Sequence, residues 1–239
     1  YNFSMNKVTI GIVIAILAGF GGLVIVMSMQ NEKATVNTDG TTTSVLQEAT
    51  DANGNIADHV RGKADSKVLL VEYADLQCPG CAAAMKTVNE IYEEYKDRVA
   101  FTFRSFPLQY HQNARAAAAA CESAGMQGYL WEMLSAMYTA RVTWIDASGS
   151  KRTEEFVNIF KQVAPDGDVT AFKNTLSDKN IEKKIDYDHS LGKDQDKISA
   201  TPAFVINGKA IDVSSANTQD DLKAMITKKL DEELKKVGE

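Results

Sequence analysis

The sequence predicts an α/β protein: a small sheet with an all-helical subdomain inserted, preceded by a single transmembrane helix. Three observations predict it. Residues 8–29 (VTIGIVIAILAGFGGLVIVMSM) hold no charged side chain, and at about 1.5 Å per residue a helix of that length spans a bilayer core of ~30 Å. Two short runs rich in Val, Leu and Phe flank a helix-periodic stretch that begins at a C-x-x-C, the order of a βαβ unit. From about residue 111 to 196 the apolar spacing is helical only, and a strand-like hairpin follows it.

The chain has 239 residues, 44% hydrophobic and 24% charged, which suits one to two globular units at roughly 150 residues each. A net charge of -6 leaves no basic excess to neutralise phosphates, so nucleic acid is not an expected partner. Lys7 precedes the apolar run while Glu32 and Lys33 follow it. This weak bias puts residues 1–7 in the cytoplasm and the remainder outside the cell membrane, as a single-pass protein. The run is longer than the roughly 7–15 residues of a signal-peptide core and lacks an A-x-A site before Gln30, which favours an uncleaved anchor. Residues 30–57, rich in Thr, Asn, Asp and Gly, read as a flexible linker. The folded unit is expected over 58–239.

Within it, 67–74 (KVLLVEYA) reads as a strand buried on both faces. From Pro79 to about Lys96 the apolar positions Cys81, Met85, Val88, Ile91, Tyr92 and Tyr95 follow helical spacing, with Pro79 suited to the first turn. Residues 98–106 (RVAFTFRSF) alternate as a strand does. Helices are then expected over 113–124 and 128–141, from Thr153 to Pro165, after the capping Asp168, and around Ile181 and Ile185. Residues 203–207 and 210–213 around Asn207-Gly208 read as a hairpin. Thr218 to Asp221 resembles a capping box opening the last helix.

The chemistry centres on Cys78-Pro79-Gly80-Cys81. Two cysteines three positions apart can close a disulfide across one helical turn. A sulfur at the helix N-terminus has its thiolate stabilised by unpaired N–H groups and the macrodipole. Cys78 is therefore the attacking sulfur and Cys81 its buried partner. A zinc site would need two more ligands. Cys121, His59, His111 and His189 exist, yet none forms a second C-x-x-C or a close His pair. A merely structural disulfide would not need Pro79-Gly80 at a helix start. No metal or cofactor is expected. Thr201-Pro202 enters the hairpin either as an ordinary strand start or as a cis bond that brings Thr201 backbone beside the sulfurs for peptide pairing. Glu72, inside an apolar run, is costly to bury unless neutral or paired. It reads either as a proton relay for Cys81 or as a carboxylate that turns outward or finds a cation, with Arg104 a candidate. Cys121 reads as a buried small residue, His111 as a capping or packing residue, and Tyr129, Trp131, Met133 and Met137 as subdomain core.

The segments DHVRGKADSKVLLVEYADLQCPGCAAAM, FRSFPLQYHQNARAAAAACESAGMQGYLWEM and ATPAFVINGK resemble the DsbA-like thiol-disulfide oxidoreductases, over about 58–239. The resemblance implies a thioredoxin fold with a helical insertion and a membrane-anchored, extracytoplasmic oxidase. Its partners would be unfolded or exported polypeptides with free thiols, and a membrane quinone-linked thiol oxidoreductase that recycles it. It also implies Cys78 and Cys81 as the redox pair, Thr201-Pro202 as the cis-proline dipeptide, and Glu72 as the buried acid. Strong oxidases of that family carry His where this chain has Gly80, so one donor to the thiolate is missing.

Overall fold

Residues 45–239 are described in the computed structural model. Five strands among them, β1 (Val60–Gly62), β2 (Leu69–Ala74), β3 (Ala100–Ser105), β4 (Ala203–Ile206) and β5 (Lys209–Ala210), form one sheet in the order β1-β3-β2-β4-β5. β2 and β3 pair in parallel through the crossover helix α1 (Pro79–Tyr95), and the remaining pairs are antiparallel. β2 and β3 are buried at every position, including Glu72, Thr102, Arg104 and Ser105, because both faces of the sheet are covered here.

Side chains alternate between the faces. Leu70, Phe101, Phe204 and Ile206 meet α1 and the last helix, whereas Leu69, Val71, Tyr73 and Val205 meet Leu191 and Ile198 on the other side. The insertion consists of α2 (Ala114–Gly125), α3 (Leu130–Thr139), α4 (Arg141–Trp144), α5 (Gly149–Val163), α6 (Val169–Thr175) and α7 (Lys179–Ser190), then a π-helical turn at Leu191–Gln195. Its core is Met133, Met137, Trp144, Phe156, Phe160 and Phe172, with the last two rings stacked 4.2 Å apart. α8 (Gln219–Val237) opens at Thr218, whose hydroxyl accepts from Asp221 N–H while the Asp221 carboxylate accepts from Thr218 N–H, as the capping box predicts.

Several expectations need correction. The linker does not run to residue 57. Among the described residues, Asp58 N–H donates to the Gln47 carbonyl and Gln47 N–H to the Asp58 carboxylate, Thr50 and Asn53 close a capping box around a 3-10 turn, and Ile56 packs on Ala118, Ala119, Ile181 and Ile185. Within this described stretch the Asn53 side chain accepts from Thr50 N–H and donates to the Glu48 carbonyl, so it serves local backbone groups. α5 starts at Gly149, not Thr153, and the stretch to Arg141 breaks after Thr139 into the short α4. The span expected at 8–29 and the cytoplasmic residues 1–7 lie outside the described residues. Among the described residues no helix is long and apolar enough to cross a membrane.

Candidate active site

Cys78 is the N-cap of α1 and Pro79 its first helical residue, so the chain leaves β2 and turns into the helix at the sulfur itself. The turn is fixed from behind. Asp75 accepts Cys78 N–H through its carbonyl at 3.0 Å and Gln77 N–H through its carboxylate at 2.7 Å. The Arg141 guanidinium donates to the Gln77 carbonyl at 2.7 Å, and the Gln77 side chain accepts from Asn113 N–H. His111, expected to cap or pack, sits 2.8 Å from the buried Asp75 carboxylate. Arg141 and Asn113 were missed by sequence reasoning because they come from the insertion, far away in the chain.

All three cysteines are free thiols. Cys78 keeps 8% of its surface exposed and Cys81 none. The Cys81 thiol, donating to Cys78, lowers the Cys78 pKa to about 5 against the opposing effect of burial. The Thr201 hydroxyl and the backbone N–H groups of Cys81 and Gly80 add to the lowering. Burial first, and then the neighbouring Cys78, push Cys81 far upward. One sulfur is therefore an anion at neutral pH and the other holds its proton. Cys121, buried in α2, is pushed up by burial as well.

The Thr201-Pro202 bond is cis. Cys78 Sγ lies 3.4 Å from the Thr201 carbonyl oxygen, to which it donates only while protonated. A Cβ on Gly80 would lie 3.3 Å from Pro202 Cδ and 3.6 Å from Cys78 Sγ, so this glycine permits the close approach of the two loops. Pro79, Gly80, Thr201 and Pro202 thus surround one sulfur.

Glu72 is buried in β2, and burial lifts its carboxyl to about 7, opposed by Arg61. Arg104 is not its partner. In the parallel register Glu72 aligns with Phe103 and Tyr73 with Arg104, so Arg104 projects to the opposite face, where it pairs with Asp58 at 2.7 Å. The cation that faces Glu72 comes from β1, a strand too short to show an alternating pattern. Trp131 does more than fill the subdomain core: it and Tyr92 hold the Arg61 guanidinium, each ring centroid 4.1 Å away. Among the described residues no three His, Cys, Asp or Glu side chains converge as a metal site.

Among curated proteins, the Na(+)/H(+) antiporter NhaA 1 of Salinispora arenicola is 32% identical over 153 residues, covering 64% of this chain and 22% of that protein. The NhaA 1 antiporter of Mycolicibacterium vanbaalenii is 40% identical over 82 residues, 34% of this chain and 13% of that one. The chain thus spans less than a quarter of the length of these relatives. Among solved structures, alpha-DsbA1 of Wolbachia pipientis matches at TM-score 0.58 and 24% identity, over 75% of this chain and 92% of that one. BdbD of Bacillus subtilis, in its oxidised form, matches at TM-score 0.58 and 21% identity, over 80% and 98%. These likenesses show a shared fold. A family model described as thioredoxin matches residues 54–228, from the ordered segment before β1 into α8, and the chain belongs to the thioredoxin family.

Proposed function

We propose that this chain is an extracytoplasmic thiol-disulfide oxidoreductase, a dithiol oxidase that introduces disulfides into exported polypeptides through Cys78 and Cys81. The observation that carries the reading is the asymmetry of the two thiols: Cys78 at the helix N-terminus, still 8% exposed and with its pKa lowered to about 5, and Cys81 fully buried with its pKa pushed up. In the oxidised protein a substrate thiolate attacks the accessible Cys78 sulfur. The Cys78–Cys81 bond breaks, and Cys81 leaves and takes up a proton. A second substrate thiolate then attacks the substrate sulfur of the mixed disulfide and expels Cys78 as a stable thiolate. Two electrons pass from substrate to protein, and a membrane quinone-linked thiol oxidoreductase removes them. Thr201 and Pro202 border the sulfur and offer backbone to an extended peptide. Glu72 supplies the proton that Cys81 needs. Residues 8–29 anchor the protein in the cell membrane.

Alkylation of Cys78 against pH, together with the reduction potential, tests the proposal. Half-reaction near pH 5 and a potential near about -120 mV are expected, whereas a value near about -270 mV makes the protein a reductase. An alkylation profile like that of an ordinary thiol, at about pH 8.5, removes the basis of the assignment. Cys78→Ser should abolish thiol-dependent refolding activity. If refolding is undiminished, the chain is a peptide binder whose cysteines play no redox part.

A further inference from the structure

The turn that carries Cys78 is held by one buried carboxylate, and a solvent-accessible imidazole pairs with that carboxylate. Asp75, three residues ahead of Cys78, keeps 1% of its surface exposed. Its carboxylate accepts from Gln77 N–H at 2.7 Å, from Leu108 N–H at 2.8 Å and from His111 Nδ1 at 2.8 Å, while its carbonyl accepts from Cys78 N–H at 3.0 Å. Among the described residues its one ion pair is with His111. A carboxylate buried this deeply is costly unless it is neutralised as well as hydrogen-bonded. The backbone N–H of His111 donates to the Leu108 carbonyl at 3.0 Å, which fixes the residue to the loop between β3 and α2, and its side chain stays 16% exposed. The other titratable or charged groups brought to this turn are Tyr110, whose ring centroid lies 4.5 Å from that of His111, and two arginines of the insertion. Arg141 of α4 bonds to the Gln77 carbonyl and Arg152 of α5 to the Asn113 side chain; both keep their charge at every pH of interest.

We propose that His111 is a positioning residue that tunes Cys78 through Asp75: its ring holds the redox turn by a hydrogen bond, and its charge decides whether the carboxylate behind the sulfur is neutralised. The inference rests on the oxidoreductase reading and adds to it a residue from outside the C-x-x-C and the Thr201-Pro202 loop. As an imidazolium, His111 cancels the Asp75 charge, and the Cys78 thiolate forms with no uncompensated anion behind it. As a neutral imidazole protonated on Nδ1 it still donates to Asp75, so the turn keeps its shape, yet the carboxylate then opposes the charge on the sulfur. Hydrogen bond and charge are thereby separated. The Nδ1–H group holds the turn in both states, whereas the second proton, on Nε2, favours the thiolate. The partly exposed ring exchanges that proton with solvent, so the readiness of Cys78 to leave a mixed disulfide follows the charge on His111.

Alkylation of Cys78 against pH in the reduced protein tests this, with the wild type expected at half-reaction near pH 5. His111→Gln offers Asp75 a neutral N–H in place of the imidazolium. It should move the profile upward by about half a pH unit or more and make the protein less oxidising. Asp75→Asn removes the opposing charge and should move the profile downward. The opposite signs separate charge from scaffolding, because a merely structural clamp, loosened by either variant, weakens the N–H bonds to the sulfur and moves both profiles upward. A His111→Gln profile that overlays the wild type overturns the inference, as does an Asp75→Asn profile displaced upward. If His111→Gln does not fold, the sign of Asp75→Asn decides. If Asp75→Asn does not fold, His111→Lys decides: it keeps a cation beside Asp75 and should hold the wild-type profile, and a profile as high as that of His111→Gln overturns the inference. A wild-type profile at about pH 8.5, that of an ordinary thiol, removes the oxidoreductase reading itself. A wild-type profile near 5 that neither variant moves leaves that reading in place and removes only the role of His111.

Discussion

Glu72 is a carboxyl in the middle of a strand whose every residue is buried, and the fold tolerates it by letting it hold a proton. Its pKa, raised by burial to about 7, exceeds the ordinary 4.5. The folded chain therefore binds this proton more tightly than the unfolded chain does. The associated stability is fully present below pH 4.5 and is lost as pH rises through 7. Glu72→Gln keeps the shape and removes the titration. Its stability relative to wild type should therefore improve between pH 4 and pH 8, by an amount on the order of 3 kcal/mol. Denaturant melts at the two pH values measure this, and a pH-independent difference would contradict burial as the cause. If Glu72 protonates Cys81, as proposed above, the same variant should also be reduced more slowly by small thiols. The value of position 72 was partly legible in the sequence, since a carboxylate in VLLVEYA stands out. Its partner was not. The face of a strand on which Arg104 projects depends on register, and register is a tertiary fact.

At the scale of elements, what the sequence shows best is what local chemistry decides. The end of β2 at the C-x-x-C, the start of α1 at Pro79, the Asp168 cap of α6 and the capping box of α8 each rest on residues within four positions of one another. β1 and α4 were not legible: each is held by distant partners, Val60 by pairing with Thr102, and α4 by Arg141 bonding to Gln77. The segment 45–57 looked like a tether for the same reason, since its polar residues bond to one another at the surface of the insertion. Local caps have local consequences. Thr218→Ala removes the hydroxyl that accepts Asp221 N–H at 3.0 Å and should cost about 1 kcal/mol in chemical unfolding. The helix it opens lies on Leu70, Phe101, Phe204 and Ile206, away from the sulfurs. The Cys78 alkylation profile should therefore be unchanged, and a displaced profile would mean that α8 governs the site.

The molecule as a whole is joined by a buried ionic network on the sheet face opposite Glu72. Asp58, ahead of β1, pairs with Arg104 of β3 at 2.7 Å and with Lys184 of α7 at 3.1 Å, and Lys184 pairs with Asp188 at 2.6 Å. Asp188 accepts Ser105 N–H, Arg104 donates to the Tyr73 hydroxyl, and on α2 Glu122 pairs with His59. The segment before β1, the sheet and the insertion thus meet at five fully buried charged side chains and one partly exposed His. Burial would raise Asp58, but Lys184 and Arg104 outweigh it and hold it below the usual range. Burial raises Asp188 to about 7, with Lys184 opposing. A raised carboxyl contributes stability below its unfolded value of 3.8 that is lost as pH climbs through 7. Lys184→Met strands two carboxylates, and breaking a buried pair in this way should cost about 3–5 kcal/mol near neutral pH. Near pH 5 Asp188 keeps its proton, so only Asp58, still bonded to Arg104, feels the loss, and the deficit should shrink. Unfolding of the variant and the wild type at pH 5 and pH 8 checks this. A deficit equal at both values would mean that Lys184 acts through Asp58 or by packing its aliphatic stem, and not by neutralising Asp188. The growing deficit expected instead would make the docking of insertion and sheet, which positions Arg141, Asn113 and Tyr138 around the sulfurs, an electrostatic property of the whole chain.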